Sequence, residues 1–221
     1  MIDHVLTAFN EAIFDTDRQR ALRVIHEAEQ DGILPEDIVF KVVVPSIHIM
    51  MKSTSERRTP SIAQHFVAAQ IASEVTESMV GKFARSPEII GRVVIGTSVG
   101  DMHGLGKRIV SGCLKALMIE VIDLGLNVQA ERFVEEAIAH NADVIGVSSM
   151  MVHTARGPSA APGVRTLLRD RALEQRIKLV VGGAPYRFDH DLYRTVGADA
   201  WAEDGIVAGT VISALIKEVR Q

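Results

Sequence analysis

An acid and a histidine stand one residue apart, at Asp101 and His103, in the loop GTSVGDMHGLG (96–106). Neutral imidazole is a common protein ligand for transition metals. A neighbouring carboxylate can hold the proton on the other ring nitrogen and so orient the ring. The pair therefore predicts a histidine that could serve as a ligand to a metal, although D-x-H alone would also suit an ordinary loop histidine that caps a helix.

The glycines that follow, Gly104 and Gly106, raise two phosphate-binding alternatives. A dinucleotide fingerprint, G-x-G-x-x-G, would begin at Gly104, but Ile109 occupies the place of its last glycine. This alternative stays open because the next predicted strand ends in an acid, Asp123. A P-loop, G-x-x-x-x-G-K-[ST], is excluded because both its first glycine and its hydroxyl residue are missing.

The elements around this loop predict an α/β fold. The apolar run Val93–Ile95 indicates a buried strand before the loop, and apolar residues at helical spacing from Ile109 to Leu117 indicate a helix after it. The same alternation continues along the chain, which predicts a parallel sheet with helices on both faces. Right-handed crossovers then favour the flavodoxin-like (Rossmann-like) order 2-1-3-4-5. The predicted strands are 92–98, 118–123, 143–148, 177–182 and 199–202, and the predicted helices are about 104–117, 130–140, 161–174, 189–196 and 205–219.

In a sheet of this order, ligands bind where the strand order reverses, which is between strands 1 and 3. The loops at 101–106 and 148–154 should meet at that point, and Gly182-Gly183 should follow strand 4 beside them. Glycines there would let the backbone approach a ligand closely. The predicted fold therefore brings three separate stretches to one candidate site.

Residues 1–86 show helical periodicity and no strand pattern, which predicts a small helical-bundle domain before a second domain at 87–221. Pro35 should begin a helix, since proline suits the first turn. Pro45 should kink that helix because proline lacks an N–H and its ring collides with the preceding turn. The polar stretch 53–59 predicts a turn.

The composition narrows the functional classes. The net charge is −4, and no block of Lys or Arg occurs, which argues against nucleic acid as a partner. No apolar run approaches the ~20 residues of a membrane-spanning helix. A single cysteine, Cys113, excludes an internal disulfide, and the acidic, amphipathic N-terminus is unlike a signal peptide. These features predict a cytoplasmic protein.

Three motifs occur in order along the chain: Asp101-x-His103-x-x-Gly106, Ser148-x-Met150 and Gly182-Gly183. As a set they resemble the D-x-H-x-x-G, S-x-L and G-G signature of cobalamin-binding domains, and the resemblance extends over residues 92–221. The helical stretch before them resembles the cap domain of corrinoid proteins from methyltransferase systems. The chain is thus identified as resembling a methyltransferase-associated corrinoid protein.

The resemblance implies that cobalamin binds base-off with His103 on cobalt, and that the cofactor alternates between methylcobalamin and cob(I)alamin. It also implies that Asp101 orients the imidazole and that Ser148 completes a His-Asp-Ser relay. The displaced dimethylbenzimidazole would enter a slot between strands that the glycines leave free. The cofactor-binding residues implied in this way are Asp101, Met102, His103, Gly104, Leu105, Gly106, Ser148, Met150, Thr154, Gly182 and Gly183, with His103 as the metal ligand.

By the same resemblance, the protein would carry a methyl group on cobalt between partner methyltransferases on the donor and acceptor sides, with a reductive activator as a further partner. It would be the carrier subunit of such a system rather than a complete enzyme. Two alternatives share the motif: mutase subunits, which lack such a helical preface, and cobalamin-dependent sensors, which usually add a DNA-binding module for which Met1 to Asp15 leave no room. A cobalamin-free interaction module is a third alternative, and the intact set of Asp101, His103 and Ser148 argues against it.

Overall fold

The structure is a computed structural model that describes residues 1–53, 61–84 and 89–221, apart from the side chains at 51–53, 62, 65 and 206. The chain divides into two compact units. The first comprises Met1–Glu88 with Gly112–Met118, and the second comprises Ile89–Ser111 with Ile119–Gln221. The predicted domain boundary between residues 86 and 87, and most of the predicted turn at 53–59, lie outside the described residues.

The first unit is built from helices whose starts are visible in the sequence. Asp17 accepts a hydrogen bond from the Arg20 N–H and caps the second helix. Ser61 and Gln64 form a capping box at the start of the fifth. The helices are α1 (Ile2–Phe14), α2 (Arg18–Gln30), α3 (Pro35–Ile38), α4 (Val44–Ser53) and α5 (Ile62–Val80). Their apolar faces form a core that includes the buried side chains of Phe9, Ile13, Ile25, Ile38 and Val42.

The helix expected from Pro35 onward takes an unexpected form before Pro45. Pro35 does lie in the first turn of α3, but the segment Val39–Val43, immediately before α4, forms a π-helical turn. Proline cannot donate an N–H to the carbonyl of Lys41, and in an α-helix its ring would collide with that carbonyl. A wider turn relieves the collision. The helix therefore accommodates Pro45 by a π-helical turn before α4, where the sequence predicted a kink.

From residue 91 onward, strands and helices alternate as predicted. The elements are β1 (Gly91–Thr97), α6 (Leu105–Ala116), β2 (Ile119–Asp123), α7 (Ala130–Ala139), β3 (Val144–Ser148), α8 (Val152–Arg156), α9 (Ala161–Asp170), β4 (Lys178–Gly182), α10 (Ala184–Phe188), α11 (Leu192–Thr195), β5 (Ala200–Ala202) and α12 (Gly205–Val219). Every strand pair is parallel, and the order is β2-β1-β3-β4-β5. The predicted fold class and strand order are confirmed.

Two short helices, α8 and α10, were not expected from the sequence. Each has five residues, which is too short to show a helical period in the sequence. The helix expected at 189–196 begins later, at Leu192, because Asp189 is extended and ends α10. Both unexpected helices follow strands that carry the candidate motifs, so they shape the loops of the site.

The second unit has its own apolar core against one face of the sheet. The core contains the buried strand residues Val94, Ile145, Val147, Leu179 and Val181 and the buried helix residues Phe133, Val164, Leu168 and Tyr186. This packing holds the strand ends, and the loops that leave them, in a defined arrangement. Among the described residues, no helix is both long and apolar enough to span a membrane.

Candidate functional site

The strand register brings the motifs together. Thr97 at the end of β1 pairs with Ser148 of β3, Ser148 pairs with Gly182 of β4, and Gly182 pairs with Ala202 of β5. The four residues form one row across the carboxyl edge of the sheet. The loops that follow them therefore leave the sheet side by side, as is expected for a ligand site in an open parallel sheet.

His103 is held by the carboxylate two residues before it. Its Nδ1 lies 2.9 Å from Asp101 Oδ1, and its backbone N–H donates to the same oxygen at 2.9 Å. The Asp101 side chain is fully buried, whereas the His103 side chain is 60% exposed. With Nδ1 engaged by the carboxylate, Nε2 is the ring nitrogen that remains for a ligand.

The second carboxylate oxygen of Asp101 is also satisfied. Oδ2 accepts hydrogen bonds from the Met150 N–H at 2.5 Å and from the Thr154 hydroxyl at 3.1 Å. Burial by itself would raise the pKa of Asp101, but the hydrogen bonds from Met150, His103 and Thr154 outweigh it and hold the pKa below its usual value. Because an ionised carboxylate can only accept, Nδ1 of a neutral His103 must carry the proton, which leaves the lone pair on Nε2.

The hydroxyl that contacts Asp101 in the structure belongs to a different residue from the one that the sequence resemblance implied. Among the described contacts of the Asp101 carboxylate, the hydroxyl comes from Thr154, and Ser148 is not a partner. The reason is geometric, because Ser148 is the last residue of β3 and lines a cavity, while the chain reaches the Asp101 carboxylate first at the Met150 N–H and then at the Thr154 hydroxyl in α8. Thr154 was predicted as a site residue, and the structure places it against Asp101.

A cavity of about 120 Å³ opens beside the Asp101 loop, between the strand ends and helices α6 and α12. Small residues make up much of its wall: Gly106, Gly146, Ser148, Gly182, Gly183, Ala202, Gly205 and Ala208. The remaining wall has six branched apolar residues and three charged ones: Ile95, Val110, Val147, Val180, Val181 and Ile212, with Lys107, Glu203 and Asp204. A Cβ added at Gly106 would meet no atom within 4 Å, so this glycine faces open space. The cavity could hold a flat, apolar group.

Gly183 is required by a close backbone approach. Its φ is +113°, and an added Cβ would lie 2.0 Å from the Ser149 carbonyl oxygen. Only glycine fits this position, because L side chains rarely adopt such a φ and the neighbouring atom belongs to the backbone. Gly104, which does not line the cavity, instead accommodates Leu126, whose Cδ2 would lie 3.0 Å from an added Cβ.

The loops that hold Asp101 and His103 carry exposed apolar side chains. The predicted site residues Met102, Leu105 and Met150 are 65%, 53% and 47% exposed. Three further residues of this kind were missed by the sequence reasoning: Leu126, Met151 and Val152. The sequence signal for them was the apolar run Met150-Met151-Val152 shortly after a buried strand. An apolar run in an exposed loop indicates a surface that binds a ligand or a partner.

The sequence reasoning also missed a set of residues that holds the loop. Lys107, directly after Gly106, is buried and donates to Asp123 Oδ1. Thr97 and Asn127 both contact the Asp101 carbonyl oxygen, at 2.6 and 3.2 Å. The acid at Asp123 kept the dinucleotide alternative open in the sequence, and its ion pair with Lys107 removes that support.

The fold and this site define a class of protein. Residues 91–208 match the family described as the B12 binding domain, and the chain belongs to that family. Among its relatives is dimethylamine corrinoid protein 2 of Methanosarcina acetivorans, which is 29% identical over 204 residues covering 91% of each chain.

Two solved structures share the fold. One is a cobalamin-binding protein from Desulfitobacterium hafniense, with 20% identity, a TM-score of 0.77 and coverage of 95% of this chain and 98% of the other. The second is a chain of the methanol:cobalamin methyltransferase complex from Methanosarcina barkeri, with 20% identity, a TM-score of 0.77 and coverage of 97% and 80%.

The residues of the site fit cobalamin. A neutral imidazole with its Nε2 left for a ligand suits cobalt. The exposed apolar side chains of the neighbouring loops suit a large, flat macrocycle. The neighbouring cavity, lined mainly by small and branched apolar residues with Lys107, Glu203 and Asp204 as its charged ones, suits an aromatic base that also carries polar nitrogens.

Proposed function

We propose that the chain binds one corrinoid through His103 and carries a methyl group for partner methyltransferases. The observation that supports this most directly is the buried Asp101 carboxylate on His103 Nδ1, which leaves an exposed imidazole with its Nε2 free beside a cavity walled by small residues. The B12-binding family and the name of the methanogen relative support the same proposal.

Each residue of the site has a separate task in this proposal. His103 would bind the metal of the corrinoid through Nε2, and Asp101 would hold the proton on Nδ1. Met150 and Thr154 would keep Asp101 ionised and in place. When bound, the corrinoid supplies the methyl-transfer chemistry at its metal. Cofactor contacts are proposed for all the residues predicted from the motifs, with Ser148, Gly106, Gly182 and Gly183 along the wall of the cavity for a base-off dimethylbenzimidazole.

The partners follow from the same proposal. The relative is named a dimethylamine corrinoid protein, and one solved structure is titled as a methyltransferase complex. We infer methyltransferases on the donor and acceptor sides and a reductive activator as partners here, and neither nucleic acid nor membrane. A cytoplasmic location, expected from the single cysteine, belongs to the same proposal.

The carrier function is favoured over the mutase-subunit and sensor alternatives by the extent of similarity. The dimethylamine corrinoid relative matches 91% of this chain, which includes helical as well as sheet residues. The cap role of residues 1–86 stays a prediction from the resemblance. A chain that starts at Ile89 would test it: we expect the reduced cofactor to be oxidised faster in that fragment than in the full chain, and equal oxidation rates would contradict the cap.

Electron paramagnetic resonance of the cobalt(II) form tests the ligand assignment. We expect superhyperfine splitting from one histidine nitrogen in the wild type and its loss in His103→Ala. His153→Ala is the matched control, since His153 is an exposed histidine on α8 and should retain the splitting. Retention of the splitting in His103→Ala would show that the assignment is wrong.

Methylation of the reduced full-length protein tests the carrier role. We expect the reduced protein to accept a methyl group from methyl iodide, and to accept it faster from a cognate methyltransferase with its substrate. A preference for adenosylcobalamin together with a change of oligomeric state on illumination would instead support the sensor alternative.

A further inference from the structure

Lys107 occupies a position that is unfavourable for a cation in two ways. It is 4% exposed, and burial removes its ammonium from water. It also lies in the first turn of α6, where the helix end carries partial positive charge. Its Nζ donates to Asp123 Oδ1, which offsets these costs. Because Asp123 is 43% exposed, water screens the pair and its net contribution to stability is small, so stability alone does not account for a buried lysine here.

Asp123 connects Lys107 to the loop after β2. The oxygen that accepts from Lys107 also accepts the Gly125 N–H at 2.8 Å. In that loop, Gly125 has a φ of +88° and Asn127 a φ of +56°, so the backbone there follows an uncommon path. One carboxylate thus joins the start of α6 to a tightly turned loop, 124–128.

Loop 124–128 in turn holds the backbone of Asp101. The Asn127 N–H donates to the Asp101 carbonyl oxygen at 3.2 Å and to Thr97 Oγ1 at 2.9 Å. The Asn127 side-chain oxygen accepts the Gly100 N–H at 2.8 Å. The residues immediately before His103 are therefore fixed by Asn127.

The residue after His103 is held by the same loop. Leu126 lies against Gly104 so closely that a Cβ on the glycine would be 3.0 Å from Leu126 Cδ2. Gly104 also accepts the Arg108 N–H, at the start of α6. A continuous series of contacts therefore runs from Lys107 to Asp123, from Asp123 to loop 124–128, and from that loop to the residues on both sides of His103.

We propose that Lys107 and Asp123 are positioning residues for His103, which hold loop 124–128 so that the imidazole is presented for corrinoid binding. The proposal rests on the proposed function, because it assigns the pair to the use of His103 as a cobalt ligand. Neither side chain needs to touch cobalt, and Asp123, unlike Lys107, does not line the cavity, so Asp123→Asn reports on positioning alone. The pair acts through Asn127, which fixes the backbone of Asp101, and through Leu126, which packs against Gly104.

The first test uses the full chain without cofactor and measures amide hydrogen exchange in Lys107→Met and Asp123→Asn. The amides of Asn127 and His103, which are bonded to Asp101, should exchange about 10-fold faster than in the wild type, as expected for loss of one hydrogen bond to a charged group. Amides within β3 should keep the wild-type rate.

The matched control is Glu120→Gln. Glu120 forms an ion pair of 2.7 Å with Arg92 between the adjacent strands β2 and β1, and within the part of the chain that the structure describes its side chain makes no hydrogen bond or ion pair with loop 124–128. This variant should leave the exchange rates of Asn127 and His103 unchanged. Equal acceleration in Glu120→Gln would overturn the proposal, because it would show a general loosening of the sheet edge.

The second test measures cobalamin affinity through the fluorescence of the single tryptophan, Trp201, whose neighbour Ala202 lines the cavity. We expect roughly 10- to 100-fold weaker binding in both variants of the pair, the range found when groups that orient a ligand are removed. The fraction of cobalt(II) protein with histidine splitting should fall in parallel. Wild-type affinity and splitting in both variants would overturn the proposal.

The proposal can still be judged if one variant fails to fold or if the wild-type chain binds no corrinoid. If Lys107→Met does not fold, Asp123→Asn decides by itself, because Asp123 is 43% exposed and the amide oxygen of asparagine can still accept a hydrogen bond from Lys107. If the wild-type chain binds no corrinoid, the proposed function fails, whereas the exchange rates without cofactor still decide whether the pair holds the His103 loop.

Discussion

Asp101 accepts four hydrogen bonds through its two carboxylate oxygens, from the N–H and ring of His103, the Met150 N–H and the Thr154 hydroxyl. No solvent reaches its side chain. These contacts come from two separate loops, so the carboxylate both joins the loops and sets the tautomer of His103. The ligand properties of the exposed imidazole thus depend on a group that a ligand would never touch.

Replacing Asp101 by asparagine tests that dependence. An amide has one accepting oxygen and an NH₂ that cannot accept, so Asp101→Asn cannot satisfy all four donors. We expect cobalamin affinity to fall roughly 10- to 100-fold, with a shifted cobalt(II)/cobalt(I) midpoint. Far-ultraviolet circular dichroism should remain that of a folded chain. An unchanged affinity together with an unchanged midpoint would remove the proposed role of Asp101.

Thr154 and Ser148 provide a direct comparison of the observed and the expected relay partner. Thr154→Val keeps the shape but removes the hydroxyl that donates to Asp101, and Ser148→Ala removes a hydroxyl that does not. A hydrogen bond to a charged group contributes about 1.5–3 kcal/mol. We therefore expect the redox midpoint of the bound cofactor to move in Thr154→Val and to stay close to the wild-type value in Ser148→Ala. The reverse order would restore the serine relay.

At the scale of elements, the site is made by strand ends and by helices that begin just beyond them. The row Thr97, Ser148, Gly182 and Ala202 fixes where four loops leave the sheet. After β3 and β4, the short helices α8 and α10 turn the chain back within a few residues. Two glycines at this edge have different tasks. Gly183 allows a close backbone contact after β4, and Gly106 in α6 leaves space for a ligand.

Alanine at Gly183 and at Gly106 should separate these tasks. In Gly183→Ala the new Cβ would lie 2.0 Å from the Ser149 oxygen at a φ of +113°, and we expect the free energy of unfolding to fall by roughly 3 kcal/mol or more. In Gly106→Ala the Cβ enters open space, so stability should change little.

The same pair of variants should differ in cofactor binding. Overlap of one methyl group with a bound base costs about 1–3 kcal/mol, so Gly106→Ala should bind cobalamin roughly 5- to 150-fold more weakly. Urea unfolding and a binding titration check the two effects. Wild-type affinity in Gly106→Ala would mean that the base does not occupy the cavity.

At the scale of the whole molecule, the chain consists of two compact units, each with its own core. The buried carboxylate of Asp101 links the site to the stability of the second unit. Its pKa is lowered in the folded chain, so the folded state binds this proton less readily than the unfolded state. Its contribution is present above the unfolded value of about 3.9 and is lost as the pH falls below that value toward the folded pKa.

Stability as a function of pH should therefore distinguish the wild type from Asp101→Asn. We expect the difference in their free energies of unfolding to be largest near neutral pH and to shrink below about pH 4, because only the wild type has this carboxylate to protonate. Urea unfolding without cofactor, followed by Trp201 fluorescence, reports on the second unit. A difference that stays constant down to pH 3 would mean that another group dominates the acid response.

Local patterns in the sequence determined the class of fold and the central pair of the site. Strand and helix periods are properties of neighbouring residues, so the alternation after residue 91 and the order 2-1-3-4-5 could be predicted. The contact of Asp101 with His103 could be predicted because the two residues are one apart. The sequence also predicted that the first part of the chain is helical, but it did not predict the π-helical turn before Pro45.

Only the tertiary structure decided which distant residues support that pair. Thr154 rather than Ser148 reaches Asp101 because the turn into α8 brings it back, and a five-residue helix leaves no periodic signal. Lys107 meets Asp123 because β1 and β2 are neighbours in the sheet. The cavity exists because α6 and α12 leave space against the small residues of three strand ends. These features depend on the relative placement of elements, which packing determines and local sequence does not encode.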